Sequence, residues 1–330
     1  MTRFSKTFKR KLYKEYLWLD YLEIRTLWLP DKELSINAFT DIIGPERELL
    51  GDTDDDDLEM DGDRFISHKD RDKYEKRFES LIRLARVRIA KYGKDYPFEI
   101  IGGKSLKQVN SLDNGHFLYI YLLCSSLLSQ FRDLQSVLTS EFESLCLEAI
   151  KELAPSRSQL FVSGRNALND KDARYHGSLM TKLQKISEDL ELNFKNRDYK
   201  PTSPTNSGDG GVDIVGWVDF TDKSMNKLSI LAQCKCSEEW LKGGSDAYSQ
   251  LKGIFSFDPL PVNYYFIPFC FRDHAFSWRD STPVNSMILI DRSRLINLLS
   301  EDKIAKFVTT SDSIKRLKIL MAEEAEHIFE

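Results

Sequence analysis

Two short apolar segments joined by a polar link constrain the fold of this chain most. Residues 212–220 (VDIVGWVDF) and 228–236 (LSILAQCKC) have the length and composition of β-strands. The polar link 221–227 between them predicts a hairpin, and the turn-rich run 201–211 (PTSPTNSGDGG) precedes it. Further strands are expected at 263–271 and 286–291, with helices at 246–255 and 292–299. This order predicts a mixed α/β fold, in which helices flank a mixed central sheet.

Apolar periodicity predicts most of the remaining helices. The expected helices cover residues 5–28, 70–92, 117–128, 136–153, 177–190 and 311–329. We therefore divide the chain into an N-terminal helical region, residues 1–135, and an α/β domain, residues 136–330. Regulation, recognition or dimerisation is the expected role of the first region.

Charge is unevenly distributed along the sequence. The net charge is −5, but residues 46–63 contain ten acids and one arginine, so the rest of the chain carries +4. This balance is neutral towards a DNA-binding role, because screening limits the reach of charge to about 10 Å. A calcium loop starting at Asp57 is not expected, since its twelfth position is His68 rather than glutamate.

Two features of the first region raise the question of phosphate contact. Lys76, Arg83 and Arg86 lie off the apolar stripe of the helix at 70–92, where phosphate contact competes with simple solvation. The run 101–105 (IGGKS) is similar to the end of a phosphate loop. The required first glycine is replaced by Phe98, so no nucleotide site of that type is expected.

Cysteine usage and hydropathy indicate a cytoplasmic protein. The five cysteines form no disulfide framework, and Cys234 and Cys236 have no second pair of zinc ligands nearby. No apolar run reaches the roughly 18–20 residues of a membrane helix, and the N-terminus lacks the features of a signal peptide.

The predicted hairpin places three polar residues where hydrolytic chemistry can occur. Asp213 stands at the start of the first strand, while Gln233 and Lys235 alternate to one face of the second. A carboxylate, an amide oxygen and the backbone carbonyl of Cys234 are hard ligands for a divalent cation. Lys235 lies in an apolar strand, where its ammonium needs a partner.

A further ligand is expected from a helix packed on the sheet. The helix at 136–153 offers several glutamates, of which Glu143 follows the anchoring Phe142 and Glu148 is the second choice. Asp209, in the glycine-rich run, is interpreted as a turn former.

The pattern Gly-Asp-Gly-Gly-Val-Asp, followed by a strand that ends Gln-x-Lys, resembles the Mrr-type branch of the PD-(D/E)xK restriction-endonuclease-like superfamily. The resemblance covers roughly residues 140–300, and includes Phe142-Glu143 and the late strand and helix from Ile288. It implies that Asp213 is the principal metal ligand, Gln233 the second and Glu143 an added one. It also implies that Lys235 is the catalytic lysine.

The resemblance implies a DNA endonuclease that depends on Mg²⁺ or Mn²⁺, serving as an effector of prokaryotic defence against foreign DNA. Cleavage of both strands implies a homodimer or larger assembly, alone or with a partner defence protein. Two alternatives remain. One is a non-cleaving nucleic-acid-binding or assembly subunit that keeps the nuclease fold, and the other is an RNase or nickase with the same site.

Overall fold

The computed structural model describes residues 15–29, 31–43, 68–163, 173–196, 210–222, 224–237, 240, 246–281 and 287–322. Segment 46–63 and Asp209 lie outside these ranges. The chain divides into two compact units. The first contains residues 1–135, 269–279 and 308–330, and the second contains residues 136–268 and 280–307. The sequence-based division assigned 269–279 and 308–330 to the second region.

The described residues form an α/β structure with a mixed sheet. The helices are α1 (Glu15–Leu27), α2 (Ile36–Ile43), α3 (His68–Tyr92), α4 (Asn114–Ser126), α5 (Gln135–Leu153), α6 (Leu179–Leu190), α7 (Ala247–Leu251), α8 (Arg292–Leu298), α9 (Glu301–Thr310) and α10 (Asp312–Ala322). The strands are β1 (Glu33–Leu34), β2 (Phe98–Ile101), β3 (Ser105–Gln108), β4 (Ser158–Val162), β5 (Asn193–Phe194), β6 (Ile214–Val218), β7 (Ser229–Cys234), β8 (Phe255–Ser256), β9 (Val262–Phe266) and β10 (Ile288–Ile290). None of the described helices is both long and apolar enough to cross a membrane.

The first unit combines helices with a small antiparallel sheet of order β1-β3-β2. The sequence predicted helices only, because these strands have two to four residues and little alternation. A fully buried arginine, Arg88 on α3, bonds the carboxylates of α1. Its Nη1 donates to Asp20 Oδ1 at 2.6 Å and to Glu23 Oε1 at 2.9 Å.

A five-stranded mixed sheet of order β10-β9-β7-β6-β4 lies at the centre of the second unit. β6 runs antiparallel to both of its neighbours, whereas β7, β9 and β10 are parallel. The predicted hairpin is confirmed as β6–β7, with Val215 opposite Leu231. The predicted strands 263–271 and 286–291 are confirmed as the shorter β9 and β10. The sequence missed β4, an edge strand in a polar stretch.

Helices α6 and α7 cover one face of this sheet. Val215, Trp217 and Leu231 pack in a buried cluster with the apolar side chains of both helices, including Leu183 and Leu251. Periodicity located α5 and α6 to within two residues. The helix predicted at 246–255 ends at Leu251, because the chain then turns into β8.

A buried carboxylate fixes the approach to α6. Arg174 donates to Asp189 through Nε at 2.6 Å and Nη2 at 2.5 Å, and the Tyr175 hydroxyl donates at 2.9 Å. Burial acts to raise the pKa of Asp189, but these hydrogen bonds outweigh it and hold the pKa below its usual value.

Candidate active site

A glycine turn brings the chain to Asp213. Gly210 and Gly211 have φ of +64° and +77°, which L side chains rarely adopt. A Cβ on Gly211 would also lie 2.7 Å from Cγ of Gln250. Asp213 lies directly before β6, so its predicted position at the start of a strand is confirmed.

Hydrogen bonds hold Asp213 at the end of two neighbouring strands. Its N–H donates to Ala232 O at 2.9 Å, and its carbonyl accepts from Ser163 N at 2.8 Å. The carboxylate is 5% exposed, and Oδ2 accepts the Cys234 N–H at 2.7 Å. This bond to a strand N–H fixes the orientation of the side chain.

Gln233 is buried with one oxygen unsatisfied, and it lies opposite Asp213, one residue beyond the Ile214–Ala232 pair. Its side chain is 3% exposed, and Oε1 has no hydrogen-bond partner among the described residues. An unsatisfied buried polar atom costs about 1–3 kcal/mol, so native proteins seldom retain one. An oxygen in this state is suited to accept a donor or a cation.

Lys235 occupies a different environment from the one predicted. β7 ends at Cys234, so Lys235 lies one residue beyond the strand, although its N–H still donates to Phe266 O at 2.9 Å. The side chain is half-buried, and its ammonium forms no ion pair within the described ranges. The lysine is therefore neither fully buried, as a place inside the apolar strand predicts, nor fully exposed.

Glu143 is buried on α5, one turn before Cys146. The Cys146 thiol, one turn further along α5, hydrogen-bonds the Cys234 thiol. Burial raises the pKa of Cys234, and the thiol of Cys146 and the carboxylates of Asp213 and Glu143 raise it further. Both carboxylates thus act on one pair of thiols. Glu148, in contrast, is exposed and bonds Lys151 at 2.6 Å.

The predicted ligands do not all share one face of the sheet. Strand alternation puts Gln233 with Leu231, on the face covered by α6 and α7. Cys234 points to the other face, where it meets α5. By the same alternation Asp213 shares the face of Gln233, because Val215 belongs to that face, whereas Glu143 comes from α5 on the Cys234 side.

Three neighbours of the site were missed by sequence reasoning. The Ser163 hydroxyl donates to Val212 O at 2.7 Å, and the ammonium of Lys182 donates to Ser163 O at 3.2 Å. Lys182 is only 1% exposed, and its place within the apolar stripe of α6 is a signal in the sequence. Tyr265 lies opposite Gln233; burial raises its pKa, and the Asp213 carboxylate raises it further.

The donor atoms suit a hard divalent cation in kind more than in number. The described residues contain no group of three or more His, Cys, Asp and Glu side chains arranged to hold a metal ion. The predicted set has two such side chains, Asp213 and Glu143, together with an amide oxygen and a carbonyl. The unsatisfied Gln233 oxygen and the Asp213 carboxylate opposite it suit a site that binds a divalent cation with modest affinity.

Comparisons with known proteins reveal no similar protein. No family model, no curated protein and no solved structure matches the chain.

Proposed function

We propose that this chain is a metal-dependent DNA endonuclease of the restriction-endonuclease-like type, centred on Asp213, Gln233 and Lys235. The observation that carries the proposal is the Gln233 amide oxygen. It is buried without a partner within the described ranges, beside a carboxylate fixed at a strand end. Lys235, two residues after Gln233, is partly exposed, and its ammonium would supply positive charge where negative charge builds on a phosphate.

The order of elements supports the same proposal. A helix with an inward glutamate, α5, comes before the glycine turn and the β6–β7 hairpin. A helix, a parallel strand, and then a late strand and helix follow. This is the order that the resemblance to the Mrr-type branch implies.

Asp213, Gln233 and the Cys234 carbonyl would hold Mg²⁺ or Mn²⁺, with Glu143 as an added ligand from the α5 side. A divalent cation bound there would polarise the scissile phosphate and make an attacking hydroxide available near neutral pH. Lys235, just beyond the strand end, stabilises the negative charge that builds on the phosphate.

Lys182 and Ser163 serve as positioning residues in this proposal. Ser163 donates to the carbonyl oxygens of Val212 and Asp213, and the Lys182 ammonium donates to Ser163 O. An ammonium buried this completely is costly, so a role in holding the metal ligand explains its presence better than stability does.

Cleavage of supercoiled plasmid in the presence of Mg²⁺ tests the proposal. Asp213→Asn and Lys235→Met should each lower the rate by about 10²-fold or more. The control variants Asp219→Asn, on the same hairpin, and Lys252→Met, exposed after α7, should cleave like the wild type. Cleavage that persists in Asp213→Asn and Lys235→Met contradicts the site.

The substrate and the assembly follow from the same proposal. DNA is the favoured substrate because the resemblance is to DNA-cleaving enzymes, and defence against foreign DNA is the corresponding role. A second copy of the chain would allow both strands to be cut, so a homodimer should produce linear plasmid. A single copy should produce only the nicked form.

A second candidate is a non-cleaving nucleic-acid-binding or assembly subunit. It is favoured by the small number of carboxylates at the site and by the place of Glu143 on the α5 side of the sheet, away from the face of Gln233. The two candidates differ in one result. A non-cleaving subunit leaves DNA and RNA intact with Mg²⁺ and with Mn²⁺, and retains nucleic-acid binding in Asp213→Asn.

A further inference from the structure

The first unit contains a cleft that the proposed nuclease site does not use. Its volume is about 470 Å³, within the range of small-ligand sites. It lies along α3, between Ile36 of α2 and the turn that joins β2 to β3.

Three cations line one end of this cleft: Arg83 and Arg86 of α3, and Lys104 of the turn. Arg86 is already oriented, since its Nη2 donates to Gly103 O at 2.8 Å. A guanidinium has five N–H donors, so this bond leaves others for a ligand. Gly103, at a φ of +75°, allows the close approach: a Cβ there would lie 3.4 Å from Arg86 Nη2.

Apolar side chains form the floor of the cleft. Phe78 and Ile82, one turn apart on α3, are only 4% and 5% exposed, and Ile36 faces them from α2. Because Phe78 and Ile82 are almost fully buried, the partly exposed Ile36 supplies the apolar side chain that a flat group can contact.

Two carboxylates, Glu75 and Glu79, line the other end. From Glu75 to Arg86 the axis of α3 rises by about 16 Å, so the charge changes sign along the cleft. This reversal is unfavourable for the uniform negative charge of a nucleic-acid backbone. It suits a small molecule with an anion at one end and hydrogen-bond donors at the other.

We propose that this cleft binds a nucleoside mono- or diphosphate. The phosphates lie against Arg83, Arg86 and Lys104, and the base lies against Ile36, above the buried Phe78 and Ile82. The carboxylates of Glu75 and Glu79 accept hydrogen bonds from ribose hydroxyls or base amino groups. The turn at 102–104 contributes a lysine at the rim. It is not a phosphate loop, which agrees with the sequence.

Fluorescence anisotropy of ADP labelled on the ribose with methylanthranilate tests this proposal on the full chain. Unlabelled ADP should compete, whereas adenosine and inorganic phosphate, which each fill half of the cleft, should compete at least about tenfold more weakly. Arg83→Ala and Lys104→Ala should each weaken binding by about tenfold or more. Lys107→Ala is the matched control, because Lys107 lies on the same hairpin and pairs with Glu33 outside the cleft.

Three results would overturn the proposal. They are no ADP binding at millimolar concentration, equal binding by all three variants, and displacement of labelled ADP by duplex DNA as effective as by ADP itself. Binding is measured without metal and without cleavage. It therefore succeeds or fails independently of the nuclease proposal.

Discussion

Replacing Gln233 with glutamate converts its side-chain amide into a carboxylate, in addition to the carboxylate of Asp213. Asp213 lies opposite Gln233, one residue beyond the Ile214–Ala232 pair, and cross-strand neighbours are about 5 Å apart. Two unit charges at about 5 Å repel by roughly 3 kcal/mol at an effective dielectric of about 20. Because both side chains are at least 95% buried, little of this repulsion is lost to solvent.

The metal-free variant should therefore melt roughly 6–12 °C below the wild type. A divalent cation neutralises the new charge, so the lost stability should return on binding. The same free energy, about 3 kcal/mol, corresponds to roughly a hundredfold gain in affinity for Mn²⁺.

Differential scanning calorimetry in EDTA, followed by titration with MnCl₂, measures both effects. Gln159→Glu is the matched control, because Gln159 is exposed on the edge strand β4. Equal melting temperatures of Gln233→Glu and Gln159→Glu in EDTA, with no gain in stability from Mn²⁺, would refute a repulsion between the two carboxylates.

Four other changes test separate parts of the structure. Lys182→Met should alter stability by less than about 1 kcal/mol yet weaken Mn²⁺ binding about tenfold, measured by calorimetric titration; a large loss of stability with unchanged affinity would assign it a structural role. Arg88→Met leaves two buried carboxylates uncompensated and should cost about 3–5 kcal/mol in urea unfolding; a smaller loss would contradict the buried network. Gly211→Ala should cost about 1–3 kcal/mol, whereas Gly93→Ala, at a similar φ but in open space, should cost less; equal melting temperatures would show that the contact at the glycine turn is relaxed. Asp189 has a lowered folded pKa, so its contribution is present above the unfolded value of about 3.9 and is lost as pH falls through the folded value; Asp189→Asn should flatten this loss in acid melts, and an unchanged profile would contradict it.

Local pattern predicted the elements that bury an apolar face. The hairpin β6–β7 and the helices α5 and α6 follow from periodicity, and the position of Asp213 follows from the glycines before it. The edge strand β4 was missed because an edge strand pairs on one side only and tolerates polar residues.

The relations between elements could not be predicted in the same way. Lys235 lies beyond the strand because the pairing of β7 with β9 ends at Cys234 and Phe266. The end of this pairing depends on β9, so the sequence of β7 alone does not predict it. Which face α5 covers is decided by tertiary packing, so the sequence grouped Glu143 with Gln233 although α5 lies on the Cys234 side of the sheet. Lys182 reaches Ser163 only after the chain has folded.

The most direct test of the central claim is single-turnover cleavage of supercoiled plasmid in Mg²⁺ by the wild type and Asp213→Asn, with the melting temperature of each recorded. An active centre at Asp213 predicts nicked or linear product from the wild type. It predicts at least about a hundredfold slower cleavage by the variant, at an unchanged melting temperature. Equal cleavage by both proteins, or cleavage by neither with Mg²⁺ or Mn²⁺, would contradict an active centre at Asp213.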